Sequence, residues 1–330
     1  MRCKLVVLFA GAGVLSLLAG CDQISGVGPS QAAPMAGKVR LVDVQTAAVG
    51  RDVPLQTGMA MDVAVSGDGA LMASAGSDGT VRLWQTASGV AVANADLATG
   101  GRALTAVTFT GDSAILVAGN AAGKLYVFNA AGRKTFELQA HDSGITALAA
   151  LDADDLVAST DQNGVLKVWD VAKGGFVRAQ AVVEKGGAVY ALAVSVNAAR
   201  VATAGVDGKI RVWDVNGGAK MLVPADDLDA AVQCLAFSGS GDLLAAGLED
   251  GTVRLFDMTK HALARGTLTC AKNPIVGVAF TGADELLVGC SKGCLKQFDT
   301  RGTLLKELPK SGAMRALAVT ADGAKAVTGQ

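Results

Sequence analysis

From about residue 38 onward, apolar and polar residues alternate in short runs that end at Gly, Asp or Asn. Residues 104–109 read Leu-Thr-Ala-Val-Thr-Phe, and residues 232–237 read Val-Gln-Cys-Leu-Ala-Phe. Side chains two apart share one face of an extended chain, so such runs predict half-buried β-strands rather than helices. Asp-Gly pairs at 78–79, 207–208 and 250–251 supply the positive-φ chemistry of tight hairpins.

The runs repeat. An aromatic or Val marks the same point of each unit: Val42, Trp84, Phe128, Trp169, Trp213, Phe256 and Phe298. Successive spacings are 42, 44, 41, 44, 43 and 42 residues, regular enough to require a repeat architecture. Four short strands in about 42 residues make one propeller blade. The phrase Asp-Gly-x-Val/Ile-Arg-Leu/Val-Trp-Asp resembles the WD-repeat family, most clearly in the units ending at Trp84, Trp169, Trp213 and Phe256. It is weaker at Phe128 and Phe298, and the resemblance spans residues 36 to 330. It implies an all-β, seven-bladed β-propeller of four-stranded antiparallel blades.

First strands begin near Ala60, Leu104, Ile145, Val189, Val232, Ile275 and Met314. The segment Val39–Val44 reads as a third strand but precedes every first strand, whereas the last unit stops after its second. The expectation is that residues 38–57 complete the blade begun by 314–328, leaving no open edge at the seam. The alternative is a strand lost beyond Gln330. Ala64, Thr108, Ala149, Ala193, Ala236, Ala279 and Ala318 are equivalent and small, as crowding near a propeller axis requires. The chain is 51% hydrophobic with 42 Gly; strands buried on both faces account for this without membrane spans. The repeats are expected to share a single closed core, residues 38–330 forming one domain.

Residues 1–20 differ. Arg2 and Lys4 precede the apolar stretch Leu5–Leu18, which is short for a membrane span. Its end, Leu18-Ala19-Gly20-Cys21, resembles a bacterial lipobox, which implies a signal peptide over 1–20 and a lipidated Cys21. An ordinary secretory signal and an uncleaved anchor are the alternatives. Residues 21–37 then read as a flexible tether. Asp22 resembles an inner-membrane retention signal of enterobacterial lipoproteins, so an envelope protein facing the periplasm is expected, slightly favouring the inner membrane.

Candidate chemistry is sparse. Cys290 and Cys294 flank a predicted hairpin and face each other, either as a disulfide or as two thiols. The only histidines are His141 and His261, so a metal site is not expected. No nucleophile elbow or phosphate loop occurs, and neither a cofactor nor an enzymatic activity is expected. By the resemblance, His141 belongs to a stabilising network with Ser159 or Thr160 and Trp169; Asn163 stands where the family has Asp, which leaves that network incomplete. Asp78, Asp207 and Asp250 match the family's Asp, but their blades lack its His. Without the leader, 27 basic residues face 30 acidic ones and no basic run exists, which argues against nucleic acid as a partner.

The resemblance implies an interaction scaffold that binds one or more proteins, with membrane attachment through lipid alone. Candidate contact residues at the channel rim are Met61, Thr105, Thr146, Tyr190, Gln233, Val276 and Arg315, with Gln162 and Glu249 in neighbouring hairpins. Two other readings remain open: a quinoprotein-like lipoprotein assisting outer-membrane protein assembly, and a ligand sensor or enzyme using the channel. For the last, Asp62 is the only acidic residue near the axis.

Overall fold

The computed structural model describes residues 7–10 and 13–16 and, from 37 onward, everything except 55–57, 93–96, 99–101, 152–154, 182–187, 196–199, 215–219, 223–227, 229, 261, 265–266, 271 and 283–284. Every regular element among the described residues is a strand. The expected lipidation site Cys21 and the tether up to residue 36 lie outside the described residues, as does His261. Near the start of the sequence, Val7–Ala10 pairs antiparallel with Gly13–Ser16, in a sheet separate from the seven that follow.

Those seven sheets are the blades. Blade 1 opens with Ala60–Val65, blade 2 with Leu104–Phe109, blade 3 with Ile145–Leu151 and blade 4 with Val189–Val194. Blade 5 opens with Val232–Phe237, blade 6 with Ile275–Phe280 and blade 7 with Ala316–Val319. Six of these starts coincide with the sequence reading; in blade 7 the ladder begins at Ala316, two residues after Met314. The first strands pack each on the next, and that of blade 7 packs back on that of blade 1, so the ring is closed.

Apolar side chains are distributed around the ring. They form seven clusters, each filling the gap between two neighbouring blades. A flat four-stranded sheet has two faces, and each needs its own neighbour. The gap between blades 2 and 3 contains Val117, Leu125, Ile145, Val157 and Trp169. Close approach dictates residue size there. A Cβ on Gly119 would lie 2.7 Å from Cγ2 of Ile145, and one on Gly247 would lie 2.6 Å from Cγ2 of Ile275. Both glycines stand next to last in second strands, against the opening of the next blade, so their small size is a packing demand.

Blade 7 is built from both ends of the described chain. Its strands run in the order Ala316–Val319, Lys325–Gly329, Lys38–Asp43, Val49–Pro54. Val39 pairs with Gly329 and Asp43 with Lys325. Val39, Leu41 and Val42 are buried, and Gln330 N–H donates to the Lys38 carbonyl at 2.9 Å. Arg40 and Lys38 converge on Asp52 along the outer pair of strands.

The His141 network is complete, contrary to the sequence reading. Trp169 Nε1 donates to Ser159 Oγ at 2.8 Å, Ser159 Oγ lies 2.7 Å from His141 Nε2, and His141 Nδ1 lies 3.0 Å from Asp161 Oδ2. Donation from indole to hydroxyl to imidazole to carboxylate satisfies all four buried groups. The acid is Asp161, at the start of the hairpin, rather than the Asn163 position at its tip. Its Oδ1 also accepts the Asn163 and Val165 N–H groups, so one side chain both shapes the turn and anchors the histidine. Burial raises the Asp161 carboxyl, but the hydrogen bonds from His141 and Val165 outweigh it and hold it below its ordinary value. In blades 1 and 4, which lack the His, Arg82 and Arg211 reach the hairpin Asp78 and Asp207 instead, each at 2.7 Å.

Two outcomes follow from this packing. Removing residues 22–44 takes away a strand with three buried aliphatic side chains, each worth roughly 1.5–3 kcal/mol, against a domain stability of about 5–15 kcal/mol. That truncation should melt far below one lacking only residues 22–34, and it should aggregate through the exposed edge of Lys325–Gly329; equal melting temperatures would dissociate Lys38–Asp43 from domain stability. Within blade 3, Ser159→Ala leaves the Trp169 N–H and the His141 ring nitrogen unpaired in the core, a loss of about 2–4 kcal/mol. Denaturant midpoints should show it, and Ser159→Ala should cost markedly less when Trp169→Phe is already present.

Candidate functional site

In six blades the second residue of the first strand has no partner across the ladder. The register skips it between Ala60 and Asp62, Ile145 and Ala147, Val189 and Ala191, Val232 and Cys234, and Ile275 and Gly277. In blade 2, Gly119 pairs with Ala106 and Asn120 with Leu104, which skips Thr105. A β-bulge of this kind bends the strand and re-aims one side chain. The skipped residues are Met61, Thr105, Thr146, Tyr190, Gln233 and Val276, the positions that the sequence reading assigned to the channel rim. Arg315, their counterpart in blade 7, lies immediately before its strand.

The structure divides this set. Thr146, Tyr190, Gln233 and Val276 line one cavity of about 140 Å³ at the axis, together with Asp62, Cys234 and Leu317. Met61 and Thr105 do not border it. Met61 is 1% exposed, and Thr105 Oγ1 donates to the Ile145 carbonyl at 2.6 Å, tying blade 2 to blade 3. Thr105 thus spends its hydroxyl on the neighbouring blade, and Met61 is buried away from this cavity. Even Tyr190 and Gln233 are recessed, at 7% and 5% exposure, so the site is a pocket rather than a flat platform. Glu249 is exposed, whereas Gln162 and Arg315 are half-buried. Gln162 sits against Gly144 at the start of blade 3.

The pocket has polar character that its Ala-rich surroundings conceal. Gln233 Nε2 is buried and has no hydrogen-bond partner among the described residues. Asp62 accepts the N–H groups of Val107 and Val63, each at 2.9 Å, so its carboxylate bridges blade 1 to the inner edge of blade 2. Burial pushes its carboxyl up to about 7, against the pull of those two donors. Burial, and the charge of Glu249, raise the Tyr190 phenol, while burial lowers the Arg315 guanidinium. Thr146 Oγ1 lies 3.1 Å from Thr160 Oγ1 and is satisfied within blade 3. No group of His, Cys, Asp and Glu suited to a metal ion occurs among the described residues.

Cys290 and Cys294 face each other across the blade 6 hairpin with their sulfurs in bonding contact and Cα atoms 5.2 Å apart. The sequence reading did not single out Cys270, whose sulfur lies 3.7 Å from that of Cys294. It is 24 residues away in sequence and belongs to another blade, so only the ring geometry brings it there.

Asp62 makes a pH test available. A folded-state pKa above the unfolded value contributes stability that is fully present below about 4 and is lost as pH rises through about 7, at up to about 1.4 kcal/mol per unit. Replacing the acid by the amide removes that titration. Between pH 5 and pH 8 the stability of Asp62→Asn should therefore gain on the wild type by roughly 2–3 kcal/mol; parallel stability profiles would show that Asp62 is not titrating in this window.

Comparison with known families agrees with the blade assignment. A family described as the anaphase-promoting complex subunit 4 WD40 domain matches residues 191–283, across blades 4 to 6. The WD domain, G-beta repeat, matches residues 56–85 and 132–170. The Target of rapamycin complex subunit wat1 of Schizosaccharomyces pombe is 26% identical over 200 residues, covering 58% of this chain and 60% of that protein. Apoptotic protease-activating factor 1 of Rattus norvegicus is 26% identical over 237 residues, 65% of this chain and 18% of that protein. WD repeat-containing protein 91 of Rattus norvegicus is 40% identical over 60 residues, 18% of this chain and 8% of its own length. The chain thus spans at most 60% of the length of these relatives. Seven antiparallel blades, six of four strands and blade 5 with its outer edge split into Ala262–Leu263 and Leu268–Thr269, together with WD-type matches in blades 1, 3 and 4 to 6, support a WD-repeat β-propeller.

Proposed function

We propose that this chain is a non-enzymatic interaction scaffold, tethered by lipid at Cys21 to a bacterial envelope membrane and facing the periplasm, that docks a protein at the mouth of its channel. The observation that carries the docking site is the buried, unpartnered Nε2 of Gln233 in the cavity shared with Tyr190 and Asp62. A buried donor without an acceptor costs about 1–3 kcal/mol, and a partner that inserts a carbonyl group there recovers it. Tyr190 supplies an aromatic wall, and Glu249 and Arg315 offer charges of both signs around the opening. WD-repeat relatives such as a complex subunit are consistent with protein partners. The tether rests on Leu18-Ala19-Gly20-Cys21, and Asp22 favours the inner membrane.

One experiment with two variants tests both halves. Cys21→Ser should move the protein from the membrane pellet to the soluble fraction, since each buried methylene of an acyl chain contributes about 0.8 kcal/mol. Persistence in the pellet after a high-salt wash removes the lipid anchor from the proposal. Glu249→Arg with Arg315→Glu should keep the melting temperature and lose a partner recovered by wild type, because each reversed charge costs about 2 kcal/mol, or roughly 30-fold in affinity. Unchanged recovery by a folded variant takes the docking site away from this opening.

A further inference from the structure

Three sulfurs meet where blade 5 ends and blade 6 turns. Cys290 ends the second strand of blade 6 and Cys294 precedes its third, with Ser291-Lys292-Gly293 as the turn between them. Cys270 follows the outer strand Leu268–Thr269 of blade 5, and its N–H donates to the Gly251 carbonyl at 3.2 Å. The hairpin is held against the chain leading to blade 7, with Ser311 N–H donating to the Gly293 carbonyl at 3.0 Å and Met314 N–H to the Ser291 carbonyl at 3.1 Å. Cys294 is in contact with one sulfur and 3.7 Å from another.

We propose that Cys270, Cys290 and Cys294 form a thiol–disulfide exchange site in which Cys294 shares its sulfur between Cys290, within the blade 6 hairpin, and Cys270, at the outer edge of blade 5. The Cys270 thiolate attacks Cys294 Sγ; the Cys270–Cys294 bond forms, the Cys290–Cys294 bond breaks, and Cys290 leaves as a thiolate that takes up the proton Cys270 gave away. Two electrons stay in one disulfide throughout, so the exchange consumes no oxidant. The Cys294 N–H donates to Cys290 Sγ at 3.2 Å, which stabilises the leaving thiolate. In one isomer the bond closes the hairpin on itself, and in the other it staples blade 5 to blade 6. Cys270 is 5% exposed and Cys290 1%, while Cys294 is partly exposed, so the shared sulfur is the one that an outside thiol or disulfide can reach. Cys234, the other buried thiol, lines the channel cavity and takes no part.

Burial raises the Cys270 thiol to about 11, with the charge of Lys296 opposing and that of Glu307 assisting. The reactive thiolate is then scarce at neutral pH and increases about tenfold per pH unit. The test uses the full chain equilibrated in a glutathione redox buffer between pH 7 and 9, acid-quenched and digested with trypsin. Cleavage after Lys272, Lys292 and Lys296 places the three cysteines on three different peptides. Wild type should yield both Cys290–Cys294 and Cys270–Cys294 linked peptides. Cys290→Ser, loaded at Cys294 with glutathione, should release glutathione with a rate that rises about tenfold per pH unit, and adding Cys270→Ser should abolish the release. Absence of the Cys270–Cys294 peptide from wild type throughout this range overturns the proposal, whatever the folding of the variants. A release rate that does not depend on Cys270 overturns it equally.

Discussion

Every feature of this molecule depends on one constraint: a blade can bury its faces only against the blades beside it. Seven apolar clusters, one for each gap, are the consequence. A row of such units leaves two unsatisfied faces, and a ring leaves none. Closure therefore has to be made by the chain itself, and blade 7 makes it by pairing Lys38–Asp43 with Lys325–Gly329. Gly119 and Gly247, next to last in second strands, serve the same constraint where Ile145 and Ile275 of the next blade approach closely.

The ring also explains where the chemistry lies. First strands form the inner edge of each sheet, so their outward N–H groups need partners that no further strand supplies. Asp62 answers this for Val107, and Thr105 donates to the opposite kind of group, the Ile145 carbonyl. These polar staples hold the inner strands in register across blades. The bulges then turn Thr146, Tyr190, Gln233 and Val276 toward the axis, and the resulting pocket keeps one amide donor unsatisfied.

The hairpins show how one structural role is met by different residues. In blade 3 a four-member chain from Trp169 through Ser159 and His141 to Asp161 ties the turn to the third strand. In blades 1 and 4 a buried Arg reaches the hairpin Asp directly. Both solutions place a charged or polar pair under the second turn, where an apolar side chain would leave the turn's N–H groups without acceptors.

Strand positions and the number and closure of the blades were legible in the sequence, because period-2 alternation and a 42-residue repeat are local signals that tertiary contacts only reinforce. Six first-strand starts were read correctly for this reason. The ring of second residues could be named by counting along those strands, but not which of them border the cavity: Tyr190 and Gln233 do, whereas Thr105 bonds across to blade 3. Asp161 was missed because the reading looked for the acid at the hairpin tip, whereas in blade 3 it stands at the start of a turn of the same length as that of blade 1. Division of the interior into seven cores, and the approach of Cys270 to Cys294, belong to the tertiary structure alone. Residues 24 apart in sequence meet only when two blades are packed side by side, and no periodicity within one blade encodes which sulfur the next will bring.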